Sequence, residues 1–148
     1  MIKQAIIPLA GLGTRLLPLT SIFAKELLPM NGKPGIQYIL DECIEAGIKE
    51  VVFIISNKKK IIKKYFYNDN FFRKIIKKKK DKRLIEEYKK IKKYKKKIKF
   101  VYQNKPLGTG DAVYKTKNKI KDNFFLMLLP DDLIINKNCS KAMISIHK

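Results

Sequence analysis

Apolar positions recur along this chain with two alternating periods, and the alternation predicts its elements. Residues 2–8 are a short apolar run that stops at Pro8 and the glycines behind it, the pattern of a buried strand. A loop follows to about residue 33. Pro34 suits the first turn of a helix, where its missing N–H is harmless; Ile36, Ile39, Leu40 and Cys43 then recur at helical spacing until Gly47. Residues 50–55, EVVFII, are nearly all apolar and β-branched, as in a strand covered on both faces. The same reading predicts a short helix over 58–66, a strand over 98–102, a helix over 111–119 and a strongly apolar strand over 123–129. Residues 71–97 are dense in lysine, yet Leu84, Ile85, Tyr88 and Ile91 keep one helical stripe. That stretch reads as one amphipathic helix with ends frayed by lysine repulsion, or else as disordered.

Strands alternating with helices, with no repeat and no interdomain linker, predict a parallel, doubly wound α/β sheet. Such sheets bind ligands beyond the carboxyl ends of their strands, and three strand ends here carry unusual residues. In the first, LAGLGTRLLP at 9–18, Gly11 and Gly13 remove Cβ bulk where backbone N–H groups could approach a phosphate. Arg15 adds a forked donor and Lys25, further on, a compact second cation. A dinucleotide fingerprint fits badly, because Leu17 and Pro18 replace a third glycine and the second strand ends in Ile55-Ser56-Asn57 without an acid. The Gly-Lys-Ser/Thr of ATPase phosphate loops is absent. Taken alone, the loop reads as a phosphate cradle or as a tight turn.

The second strand end, QNKPLGTGDAV at 103–113, holds Gly108 and Gly110 before a helix. Gln103 offers an amide that both donates and accepts, as a uracil or thymine imide edge requires; a plain glycine loop is the alternative. The third, LLPDD, ends the most apolar strand in Asp131 and Asp132, which point different ways if extended geometry persists. A carboxylate there suits Mg²⁺, which keeps several waters and takes one or two carboxylates plus phosphates; solvated aspartates in a turn are the alternative. His147 has no partner cluster and receives no role.

Composition bounds the class. At 148 residues and 45% hydrophobic, the chain has the length of one domain with a real core. No apolar run approaches the ~18 residues of a membrane span, and Pro8 with its following glycines argues against a secretory leader. Cys43 and Cys139 form no metal or disulfide framework, and Cys43 on an apolar helix face reads as a buried thiol. A cytoplasmic location is expected. The 34 basic residues against 13 acidic ones leave +21, a balance that suits nucleic acid or an anionic surface. Yet only Arg15, Arg73 and Arg83 are arginines, the residue of bidentate phosphate and base contacts. The lysine excess, with abundant Asn, Ile, Phe and Tyr, follows AT-rich codons and belongs on solvated faces. We expect no nucleic-acid and no membrane partner; the competing reading is a lysine-driven nucleic-acid binder whose affinity falls steeply with salt.

With these residues laid out, the chain resembles the sugar-phosphate nucleotidylyltransferases, most closely their bacterial UTP–glucose-1-phosphate uridylyltransferase (UDP-glucose pyrophosphorylase) branch. IIPLAGLGTRLLPLT followed by AKELLPMNGKPGIQYILDECIEAGIKEVVFI is similar to that branch's N-terminal signature over some fifty residues, and PLGTGDAV and LLPDDLI continue the likeness. The resemblance implies the nucleotide-diphospho-sugar transferase fold, a Rossmann-like doubly wound mainly parallel sheet. It implies a reaction in which UTP and glucose 1-phosphate give UDP-glucose and pyrophosphate, with Mg²⁺ as cofactor. By the same likeness Leu9, Ala10, Gly11 and Gly13, with Gln103, hold the uridine and Gly108 lines the nucleotide pocket. The likeness further implies that Arg15 binds the leaving pyrophosphate, Lys25 the α-phosphate and Asp131 the Mg²⁺.

The chain departs from the pattern in places. Ala24 stands where the family usually has proline before Lys25, and GTGDAV replaces a GLGHAV-like stretch, a change that resembles N-acetylglucosamine-1-phosphate uridylyltransferases. An N-acetylglucosamine 1-phosphate or dTDP-glucose type of enzyme is therefore an alternative. The resemblance implies that residues 1–148 correspond to the N-terminal, nucleotide-binding part of the transferase domain, and the sugar-binding C-terminal half is expected to be absent. Such a part exposes an apolar face or edge, which a second copy or a complementing chain would cover. An inactive or partner-dependent nucleotide-binding remnant is the other expectation.

Overall fold

The computed structural model describes residues 2–134 and 136–147. In chain order its elements are β1 (Gln4–Pro8), β2 (Pro29–Met30), β3 (Lys33–Pro34), α1 (Gly35–Glu45), β4 (Glu50–Ile55), α2 (Lys60–Tyr67), α3 (Asn70–Lys79), α4 (Lys82–Lys95), β5 (Ile98–Tyr102), α5 (Gly108–Lys115), β6 (Leu126–Met127) and α6 (Cys139–Ile146). Among the described residues, four strands form one sheet in the order β5-β4-β1-β6, and every neighbouring pair is parallel. The register sets Ala5 between Val51 and Leu126. The chain steps from β1 to β4 to β5 in one direction, then returns to place β6 on the other side of β1. The winding reverses between β1 and β6, and a parallel sheet opens a crevice beyond its strands' carboxyl ends at such a point.

Strand alternation divides the core. Ala5, Ile7 and Leu9 join Val51, Phe53 and Ile55 in the larger cluster, which α1, α2, α4 and α6 cover with Ile36, Leu40, Phe66, Tyr94 and Ile144. Ile6 and Ile54 face the other way and meet Ala112 of α5. Phe53 sits inside the larger cluster, its ring 5.9 Å from that of Phe66 and 5.7 Å from that of Phe100. Cys43 lies in the same cluster, where burial pushes its thiol up to about 12 and removes it as a nucleophile. No helix among the described residues is long and apolar enough to cross a membrane.

Four elements differ from the sequence-based expectation. The lysine-dense stretch is two helices, because Lys80 takes the left-handed region at φ 50 and its N–H closes on the Ile76 carbonyl at 2.9 Å. Asp81 then caps α4, accepting from the Leu84 N–H at 3.2 Å. The two helices fold back on each other with Phe72 against Tyr88, 5.5 Å between centroids, and the stripe of Tyr88, Ile91 and Tyr94 is buried. α5 starts at Gly108 rather than Asp111, since a φ of 89 there turns the chain directly into the helix. The expected strand over 123–129 shrinks to Leu126–Met127: among the described residues β6 pairs with β1 alone, and its Met127 and the flanking Phe124 and Leu129 are exposed. Pro34 stands just outside α1 as its N-cap rather than in its first turn.

Asp41 ties these layers together. Its carboxylate accepts from Lys33 of β3 at 2.6 Å, from Lys90 of α4 at 3.2 Å and from the Tyr94 hydroxyl. Burial raises the Asp41 carboxyl, but the Lys33 and Tyr94 hydrogen bonds and the charges of Lys33 and Lys90 outweigh it, so the group sits below the usual carboxylate value. A carboxyl depressed by folding contributes stability above its unfolded value, and that contribution disappears as pH falls through the folded value. Asp41→Asn is thus expected to narrow the gap between urea midpoints measured at about pH 7 and about pH 3. An unchanged gap would remove Asp41 from the acid limb.

Candidate functional site

The loop after β1 is built by its glycines. Leu9 prolongs the strand, its N–H donating to the Ile54 carbonyl at 2.7 Å. Gly13 takes φ 69, and a Cβ there would meet the Thr20 methyl at 3.0 Å while the Thr20 hydroxyl donates to the Gly13 carbonyl at 2.7 Å. Only glycine satisfies both the conformation and the approach. A Cβ on Gly11 would meet nothing within 4 Å, so the space in front of that backbone is open. The chain then makes short 3-10 turns at Thr14–Leu16 and Lys25–Leu27, which present Arg15 and Lys25.

These turns face α5's start and the end of β6 across a cavity of about 440 Å³. Ala10, Gly11, Arg15, Lys25, Gln103, Gly108 and Asp131 all line it. Leu9 and Gly13 do not; Leu9 is fully buried behind the wall with its N–H spent on the sheet. Three segments far apart in sequence therefore converge at the switch point. His147 is elsewhere, its ring 4.3 Å from that of Phe124.

Two local expectations are corrected. Gln103 does not have a free donor: its amide N–H groups go to the Gly108 carbonyl at 3.0 Å and to Asp111 Oδ2 at 2.8 Å. Fixing the first turn of α5 uses up the donor side and leaves the amide oxygen as the group that can read a ligand. Nor do the aspartates continue a strand. The Asp132 N–H closes a turn on the Leu129 carbonyl at 3.2 Å, and both Asp131 and Asp132 border the cavity. Across it, Lys25 Nζ donates to both oxygens of Asp131, each at 2.7 Å.

Sequence reasoning misses Glu26. Its side chain is 1% exposed, accepts from Lys59 Nζ at 2.7 Å and lines the same cavity. A signal is present: a lone acid among Ala24, Leu27 and Leu28, in a segment otherwise apolar on that side. The hairpin of β2 and β3 is equally readable, since Asn31-Gly32 at φ 46 and 82 is the favoured two-residue turn.

The donor set fits a small hard cation. Among the described residues no three His, Cys, Asp or Glu side chains gather into a metal cage. One or two carboxylates beside cations that can hold phosphates is the arrangement Mg²⁺ accepts.

A family model described as Nucleotidyl transferase matches residues 4–148. The UTP–glucose-1-phosphate uridylyltransferase of Bacillus subtilis is 38% identical over 133 residues, 90% of this chain and 45% of that protein. The enzyme of the same name from Mycoplasma pneumoniae is 40% identical over 141 residues, 95% of this chain and 48% of that one. The solved structure of UTP-bound UGPase from Acinetobacter baumannii superposes with a TM-score of 0.91 at 33% identity, over 99% of this chain and 53% of that one. The chain spans about half the length of the relatives it matches. A family model covering nearly every residue places this chain in the nucleotidyl transferase family.

Proposed function

We propose that this chain is the nucleotide-binding part of a uridylyltransferase that joins UTP and glucose 1-phosphate into UDP-glucose with release of pyrophosphate, acting in the cytoplasm. The observation that carries the reading is the convergence of Gly11, Arg15, Lys25, Gln103, Gly108 and Asp131 on one cavity. In that reading the open backbone at Ala10 and Gly11 takes the base edge, and the Gln103 amide oxygen accepts from the imide N–H of uracil. Gly108 keeps α5's first turn low enough for the nucleotide to lie against it. Leu9 supports this wall from behind, and Gly13 sets the turn that presents Arg15.

The transfer needs no covalent enzyme intermediate. A phosphate oxygen of the sugar phosphate forms the new bond to the α-phosphorus while the bond to the β-phosphate oxygen breaks and pyrophosphate leaves. Catalysis is then positioning and charge stabilisation. Lys25 neutralises charge that develops at the α-phosphate, and the Arg15 fork holds the departing pyrophosphate. Mg²⁺, held by Asp131 with Asp132 beside it, would offset negative charge on the phosphate oxygens.

A second reading, nucleotide binding without transfer by this chain alone, is favoured by the open β6 edge with exposed Met127 and Leu129. A second copy or a complementing chain could cover that edge. The test is pyrophosphate release from UTP, glucose 1-phosphate and Mg²⁺, run beside a UTP-binding titration. Release supports the transferase; binding without release supports the second reading; neither overturns both. Parallel runs with N-acetylglucosamine 1-phosphate and with dTTP address the alternative substrate types.

A further inference from the structure

The Lys25–Asp131 contact joins two residues to which the proposed function gives separate ligands. One ammonium meets both carboxylate oxygens at 2.7 Å, across 106 positions of sequence and across the cavity itself. A phosphate that reaches Lys25 and a cation that reaches Asp131 therefore each compete with this pair. We propose that the pair makes Asp131 a specificity-determining residue, one that admits a metal-bound nucleoside triphosphate and rejects the same triphosphate without metal. The inference rests on the nucleotide reading given above.

The physical argument is one of charge pairing. A triphosphate arriving without a cation must pull Lys25 from Asp131, which leaves a carboxylate facing phosphates in a partly enclosed cavity, a like-charge contact that opposes binding. A triphosphate arriving with its cation gives the released carboxylate a new partner, so every charge stays paired. The pair is also weak enough to open. The Lys25 side chain is 23% exposed and that of Asp131 53%, and ion pairs this accessible are worth little on their own. Rejection therefore comes from the uncompensated carboxylate and not from the strength of the Lys25 contact.

Asp132 provides the internal control. It borders the same cavity one residue on, but Lys25 grips Asp131. Removing either carboxylate lowers the local negative charge by the same amount; only removal at 131 takes away the carboxylate that sits on Lys25, where a phosphate held by Lys25 would face it.

The experiment is calorimetric titration of UTP into the full chain, once with a chelator and once with magnesium, for wild type, Asp131→Asn and Asp132→Asn. For the wild type, magnesium is expected to tighten UTP binding by about tenfold or more. Asp131→Asn is expected to bind UTP in chelator about tenfold more tightly than wild type and to lose most of the magnesium effect. Asp132→Asn should shift chelator binding by less than about threefold. Unchanged or weaker chelator binding by Asp131→Asn overturns the inference, as does an equal gain in Asp132→Asn. Wild type that binds no UTP under either condition overturns the nucleotide reading itself, a distinguishable result.

Discussion

Glu26→Ala is expected to lower the unfolding free energy by about 3–5 kcal/mol, the range for breaking a buried ion pair by deleting one partner. The side chain is 1% exposed and its Lys59 partner 12%, with 2.7 Å between Nζ and Oε1. Alanine leaves the Lys59 ammonium out of water without a counter-charge, and the penalty falls on the residue that remains. Against the roughly 5–15 kcal/mol of a whole domain, this is a large share. Glu26 Oε2 is buried with no partner among the described residues, so Glu26→Gln, which keeps an acceptor for Lys59 but loses the charge, should fall between the two. Urea unfolding of the three proteins measures the series. A loss under about 1 kcal/mol for the alanine variant would mean that the pair behaves as a surface contact. The consequence reaches the site: Glu26 pins the 3-10 turn Lys25–Leu27 to the turn Asn57–Lys59 after β4, so the same pair sets where Lys25 stands.

On the transfer proposed above, Lys25→Ala is expected to reduce turnover in the pyrophosphate-release assay by about two to three powers of ten, the usual loss when one fixed electrostatic stabiliser is removed. UTP affinity should change by less than about tenfold, because Arg15 and the backbone wall still hold the nucleotide. The split follows from where charge develops: the α-phosphate gains it during transfer, while the ground-state contacts are spread over the cavity. The Asp131 carboxylate left behind is half-exposed and remains hydrated, so the fold should survive. A Lys25→Ala variant that keeps the wild-type turnover number would remove Lys25 from the chemistry.

Much of the fold was legible because it is written in local patterns. The β-branched run at 50–55 reads as a strand buried on both sides, and the helical recurrence from Ile36 to Cys43 gave α1. Element ends were less legible because they depend on single backbone conformations. Lys80 enters the left-handed region although nothing about lysine favours it, and that one residue divides a helix in two. The strand over 123–129 misled for a different reason. Its apolar residues announce burial, but a strand also needs neighbours, and β6 has one only along two residues among those described.

The site divides in the same way. By itself the sequence determined the fold class, the chemistry available at three strand ends and the family likeness, since residue type, spacing and hydrophobic period are properties of the chain alone. The tertiary structure decided which of those groups are free to act. Folding spends the Gln103 donors on α5, spends the Leu9 N–H on Ile54, and joins Lys25 to Asp131 and Glu26 to Lys59. Each contact links positions distant in sequence or sets a side chain against a backbone turn, and no local pattern encodes such pairings. The long-range ones among them depend on β1 lying between β4 and β6, a placement that only the packed sheet creates.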